Sequence, residues 1–132
     1  MDRARVAQWI ADYERAWRAA GTDALAGIFT PGARYLQEPY REQLVGLGAI
    51  ARMWERERTG PDEAFVMTSE IVAVDGDTAV ARVYVEYLET PVLEYRDLWV
   101  MRFGPDGRCA AFEEWPFAPS QPGSGPVEPG RI

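Results

Sequence analysis

Near residue 60 the spacing of apolar side chains changes from a period of about 3.6 to a period of about 2, and that switch limits the folds open to the chain. Before it, Val6, Trp9, Ile10, Tyr13, Ala16, Trp17 and Ala20 recur every three or four residues, which predicts an amphipathic helix over residues 3–20, closed by Gly21. "TDALAGIFT" predicts a short second helix, capped by Thr22 or Asp23 and stopped by Pro31-Gly32. "ARYLQEPYREQLVG" reads as two short strand pieces broken at Pro39. "LGAIARMWERER" (residues 47–58) predicts a third helix, with Ile50, Met53, Trp54 and Glu57 on one side and Gly60-Pro61 as its stop. Beyond the switch, "EAFVMTSEIVAV" and "TAVARVYVEYLE" alternate and are joined by "DGD", a hairpin signal. Thr90-Pro91 begins another turn, and "GPDG" joins two final strands, "EYRDLWVMRF" and "RCAAFEEWPF". Helices first and a meander afterwards predict an α+β fold: a curved antiparallel or mixed sheet with three N-terminal helices on its concave face, enclosing a cone-shaped cavity. Residues 1–119 are expected to form one domain, and the Pro/Gly/Ser-rich residues 120–132 a flexible tail.

Strand side chains alternate between faces, so residues 94–103 sort Tyr95, Asp97, Trp99, Met101 and Phe103 to one side. That side is aromatic and apolar, with one carboxylate in it. Facing inward, Asp97 would lose water, which favours its protonated form. A carboxyl so tuned serves as general base or as a neutral hydrogen-bond donor. Its alternative is a structural acid bonded to Tyr13, Tyr35 or Arg96. On the last strand, one of Glu113 and Glu114 must face the same way. With Phe103 opposite Cys109, plain pairing sets Trp99 against Glu113; a β-bulge would exchange it for Glu114, so both stand as candidates to assist Asp97. The alternative for both is a solvated position or a pairing with Arg96 or Arg102. Tyr13, Trp17, Tyr35, Trp54, Trp99 and Trp115 are candidate ligand-binding walls, each against the alternative of plain core packing. Arg82, Tyr84 and Glu86 share the less apolar face of their strand and are assigned to the outer side of the sheet.

Composition narrows the chemistry. A formal charge of −7 disfavours nucleic acid and anionic membrane surfaces as partners. No segment approaches the roughly 20 apolar residues of a membrane span. The N-terminal stretch lacks the apolar run of a signal peptide, and the single cysteine, Cys109, cannot form an internal disulfide; a cytoplasmic protein is expected. Cys109 is read as buried and inert. The chain has no histidine, which removes Ser-His-Asp and Cys-His nucleophile schemes, ordinary zinc sites and the two-His-one-carboxylate iron site. No metal or cofactor is expected, and acid–base work would fall to carboxylates, Tyr, Arg or water.

Three pieces carry a family likeness: "YERAWRAAGTDALAGIFTPGARY", "LVGLGAIARMWERE" and "YRDLWVMRFGPDGRCAAFEEWPF". In order and spacing the chain resembles the nuclear-transport-factor-2-like superfamily, and within it the SnoaL-like branch. The resemblance implies a cone-shaped half-barrel, a pocket between the first helix and the concave sheet, and a homodimer through the outer sheet face. Relatives of this look include ketosteroid isomerases, polyketide cyclases, dehydratases, epoxide hydrolases and proteins with no catalysis. Many of the enzymes use a histidine near the pocket, and this chain departs from them there. The expectation is therefore a protein that binds a small, largely apolar organic molecule. Asp97 would act as principal acid/base for isomerisation, cyclisation, dehydration or hydrolysis. Glu113 or Glu114 would assist, and Tyr13 or Tyr35 would orient the substrate. The rival is a non-catalytic ligand carrier or dimerisation module. A cavity of roughly 300 Å³ or more would favour a ligand site, and an interlocked interior the rival.

Overall fold

The computed structural model describes residues 1–58, 62–89 and 93–120. Helix α1 (Arg3–Arg18) starts at Asp2, whose carboxylate accepts the Arg5 N–H at 2.9 Å. It buries Val6, Trp9, Ile10, Tyr13 and Ala16, the stripe that the periodicity marks. Its C-terminal end is tied down by Arg58, which donates to the carbonyls of Ala16 (3.2 Å), Trp17 (3.4 Å) and Gly21 (2.6 Å). One guanidinium thus satisfies orphan carbonyls of one helix from the end of another.

Helix α2 (Leu25–Ile28) is shorter than expected, because the chain is already extended at Phe29. Strand β1 (Phe29–Leu36) runs through Pro31-Gly32, which the sequence marks as a stop. The pair is tolerated because the pairing of β1 with the last strand shifts register between Phe29 and Arg34. There the missing proline N–H breaks no ladder. A two-residue strand, β2 (Leu44–Val45), and helix α3 (Leu47–Glu57) follow, with Ile50, Met53 and Trp54 buried.

The rest is β3 (Phe65–Asp75), β4 (Thr78–Tyr87), β5 (Leu93–Phe103) and β6 (Cys109–Phe117). The β3–β4 turn places Gly76 at φ 61°, a left-handed conformation that glycine takes without steric cost. Six strands form one sheet in the order β2-β1-β6-β5-β4-β3. Only β1 against β6 is parallel among these pairings. The sheet is curved and unclosed, and the three helices pack on it, as the α+β cone requires. The expected turns at Gly60-Pro61 and Thr90-Pro91, and the tail from residue 121 on, lie outside the described residues.

The concave face of β5 alternates as expected: Asp97, Trp99, Met101 and Phe103 are buried, and Glu94, Arg96, Leu98 and Arg102 are exposed. With Phe29, Tyr35 and Phe112, these rings close around Trp9 and Tyr13 and fill the narrow end of the cone. The described residues leave the wide end open, and the site lies there.

Candidate functional site

A cavity of about 440 Å³ occupies the wide end, between α1, α3 and the strands β3 to β6. Its position follows from residue size and parity. At the narrow end the small Ala79, Ala81 and Val83 of β4 are fully buried in the core. Toward the wide end, Val85 and Tyr87 face the interior only half-buried, and the layers part.

Register decides which acids enter. β5 pairs Arg102 with Ala111 and Phe103 with Cys109, so Ala110 is one extra residue in β6. This bulge reverses the parity of everything beyond it. Trp99 therefore faces Glu114, not Glu113. Glu114 lies on the cavity side, diagonal to Asp97, which pairs with Pro116. Glu113 lies on the opposite side of the sheet beside Trp115, whose indole N–H donates to Glu113 Oε1 at 2.8 Å. Of the sequence candidates, Glu113 and Trp115 thus fall outside the cavity. Trp54 does as well: it is fully buried behind Tyr13 and Trp17, with ring centroids at 5.1 and 4.8 Å. Asp97, Glu114, Tyr13, Trp17, Tyr35 and Trp99 all line it.

Asp97 is 7% exposed. Its Oδ2 receives a long bond from the Trp99 indole at 3.4 Å, and its buried Oδ1 has no hydrogen-bond partner. It is not bonded to Tyr13, Tyr35 or Arg96, the arrangement of a purely structural acid. Burial lifts its carboxyl above the usual range, opposed by the neighbouring Glu114 carboxyl and by the Trp99 indole. Glu114 keeps some accessible surface because it faces the cavity, yet protein surrounds it. Its carboxyl is pushed well above the usual range by burial first, then by the charge of Asp97 and the hydrogen bond it would donate there. No well-formed hydrogen bond joins the two carboxyls in this conformation. Two carboxyls this close do not both ionise easily, so the more enclosed Glu114 holds the proton and Asp97 carries the charge.

Tyr13 and Tyr35 share a hydrogen bond of 2.9 Å between their hydroxyls. Burial raises both phenols well above their ordinary value, and for Tyr35 the neighbouring Tyr13 adds to this. Both are therefore neutral, and one hydroxyl donates to the other, which leaves one O–H of the pair. Cys109 lies away from the site in β6, and burial pushes its thiol up to about 12.

Sequence reasoning missed much of the rim. Phe65 and Tyr87 lie on inward strand positions, and parity alone would have found them; Tyr95, sorted to the Asp97 face by parity, was not named as a wall. Glu38, Arg41, Glu57 and Glu63 also line the cavity. Arg41 stands 3.4 Å from Glu38 and 3.9 Å from Glu57 across the mouth, and Glu63 accepts the Trp17 indole at 2.9 Å. The expected apolar hollow is thus aromatic at its floor and rich in carboxylates at its rim. Among the described residues, no three His, Cys, Asp or Glu side chains are grouped to hold a metal ion.

Residues 10–112 match the family model described as a SnoaL-like domain. The chain belongs to the SnoaL-like family. This places it in the nuclear-transport-factor-2-like superfamily. Solved structures similar to this SnoaL-like protein agree in fold. One is SalBIII, described as an epoxide hydrolase/cyclase-like enzyme with a role in pyran ring formation in the polyether salinomycin. It has a TM-score of 0.70 and 15% identity, covering 88% of this chain and 93% of that one. A ketosteroid-isomerase-like protein from Parabacteroides distasonis has a TM-score of 0.61 at 17% identity, covering 85% and 87%. A polyketide-cyclase-like protein from Sinorhizobium meliloti has a TM-score of 0.59 at 28% identity, covering 81% and 93%. No curated protein matches this SnoaL-like chain in sequence.

Proposed function

We propose that this SnoaL-like protein binds a small organic molecule in its cone and transforms it by carboxylate acid–base chemistry, without a cofactor. The observation that carries the reading is the Asp97–Glu114 pair: two neighbouring carboxyls on one cavity wall, one of them buried with an oxygen that has no hydrogen-bond partner among the described residues. Asp97, the charged member, takes a proton from an acidic C–H or from an attacking hydroxyl. Glu114, the protonated member, gives one to the oxygen that becomes negative. The neutral Tyr13–Tyr35 pair orients the substrate at the floor with the one O–H that is not spent between them. Proton count is conserved over the cycle: in isomerisation Asp97 returns its proton to carbon and Glu114 recovers its own, and in dehydration, hydrolysis or ring closure the proton that Asp97 took replaces the one that Glu114 gave.

Isomerisation, dehydration, epoxide hydrolysis and ring closure share this two-carboxyl requirement. The neighbours described as cyclases and an isomerase support that range. A panel of epoxy alcohols, β-hydroxy ketones and enolisable ketones, followed by NMR, tests it. Turnover by the full chain that Asp97→Asn removes, with the fold kept by circular dichroism, is the expected result. Unchanged turnover in that variant would dismiss the assignment, and binding with no turnover on any member would favour a carrier.

The same proposal includes a cytoplasmic homodimer joined through the outer sheet face, where Val66, Tyr84, Leu98 and Phe117 are exposed. Sedimentation at micromolar concentration tests the dimer; a clean monomer near the chain mass of 14.8 kDa would refute it.

A further inference from the structure

We propose that the ligand of this cavity is an organic cation, a protonated amine carried on an apolar, ring-sized body. Five carboxyl side chains line the cavity: Glu38, Glu57, Glu63, Asp97 and Glu114. Among the described residues the one cation lining it is Arg41, and it is already engaged with Glu38 and Glu57. Even with Glu114 protonated, negative charge is in excess there. A low-dielectric, walled cleft concentrates that field instead of letting solvent screen it.

A second observation points the same way. Asp97 is 7% exposed, lines the cavity, and holds an oxygen with no hydrogen-bond partner. A buried carboxylate left so is costly, and a donor on the ligand is what would relieve it. The walls add a third. Tyr13, Trp17, Phe65, Tyr87 and Trp99 present rings to the cavity. Two of these rings have a guanidinium of this chain near their faces, Arg18 over Phe65 at 3.8 Å and Arg58 over Trp17 at 6.0 Å. The aromatic lining is therefore a surface on which cations settle. An anionic ligand would meet the opposite of complementarity, and a neutral one would leave the field unused.

The inference rests on the same site as the acid–base reading, and the two can fail separately. Calorimetric titration of the full chain at neutral pH and low salt should compare 2-naphthylmethylamine, protonated under these conditions, with 2-naphthylmethanol and 2-naphthoate. The ammonium is expected to bind about tenfold more tightly than the alcohol, and the carboxylate about tenfold more weakly than it. Asp97→Asn should reduce the ammonium preference several-fold, while Glu70→Gln on the exposed face of β3 leaves it unchanged. Equal or tighter binding of the alcohol, or no measurable binding of the ammonium, would overturn the inference. Turnover of a neutral substrate without ammonium preference would remove this inference alone. Ammonium preference without turnover on any panel would remove the acid–base reading alone.

Discussion

One peptide bond separates Glu113 from Glu114 on β6, and the two faces of the β5–β6 hairpin give these residues different surroundings. Glu114 stands across from Trp99 on the concave side, next to Asp97 and near the Tyr13–Tyr35 hydroxyl pair. Glu113 stands across from Val100 on the convex side and accepts the indole of Trp115. The same contrast holds for tryptophan. Trp99 is 2% exposed and packs against Tyr13 at 4.6 Å, while Trp115 is half-buried on the other face. Residue type is constant across the comparison, so the differences in role come from loss of water and from neighbours.

The comparison can be broken most directly by chemistry. Asp97→Asn should lower turnover by about 100- to 10,000-fold, the range of a lost general base, while Glu113→Gln changes it by less than about twofold. A steady-state assay on the substrate found by the panel checks both; equal losses would mean that face does not matter.

Stability gives the next largest effect. Trp99→Ala should cost about 3–5 kcal/mol in urea unfolding, because a filled interior is left with a hole. Trp115→Ala should cost about 1 kcal/mol or less.

The pH dependence of stability sharpens the comparison further. Folding raises the proton affinity of Glu114, so the folded state binds more protons than the unfolded one above the ordinary carboxyl range. The stabilising protonated form is fully present below the unfolded value, and its contribution is lost as pH rises toward the folded one. Glu114→Gln should therefore melt higher than the parent above about pH 6, with the gap closing as pH falls toward about 4. Melting curves that stay parallel across this range would contradict the coupled pair.

A smaller change is expected from Tyr13→Phe, about 1 kcal/mol, since it strips one partner from the buried hydroxyl pair. Arg82→Ala should cost less than about 0.5 kcal/mol by the same unfolding measurement, because its 2.7 Å pair with Glu70 lies in solvent on the convex face.

Much of the fold was legible because it is written locally. The stripe of Val6, Trp9, Ile10, Tyr13 and Ala16 marks the buried face of α1, and the alternation through Asp97, Trp99, Met101 and Phe103 marks the inner side of β5. Each needs only the periodicity of its own element. The end of α2 is not legible locally, because Pro31-Gly32 reads as a breaker in isolation, whereas an irregular stretch of the parallel β1–β6 pairing accommodates it. Trp54 stood between wall and core packing because a buried ring and a lining ring look alike in sequence.

Of the acids of the rim, the sequence marks only Glu57, on the apolar side of the third helix; their convergence was not legible. Glu38 follows β1, Glu57 ends α3 and Glu63 precedes β3, and only the closing of the cone brings them to one mouth.

By itself the order of residues determined an α+β cone and an inward acid at position 97, since helix stripes and strand alternation are properties of short segments. Whether 113 or 114 joined that acid was decided by the extra residue at Ala110, a matter of how two strands line up across a turn. The open wide end and its ring of carboxyls were likewise decided by tertiary packing, because charge density in a cleft depends on distances between segments remote in the chain.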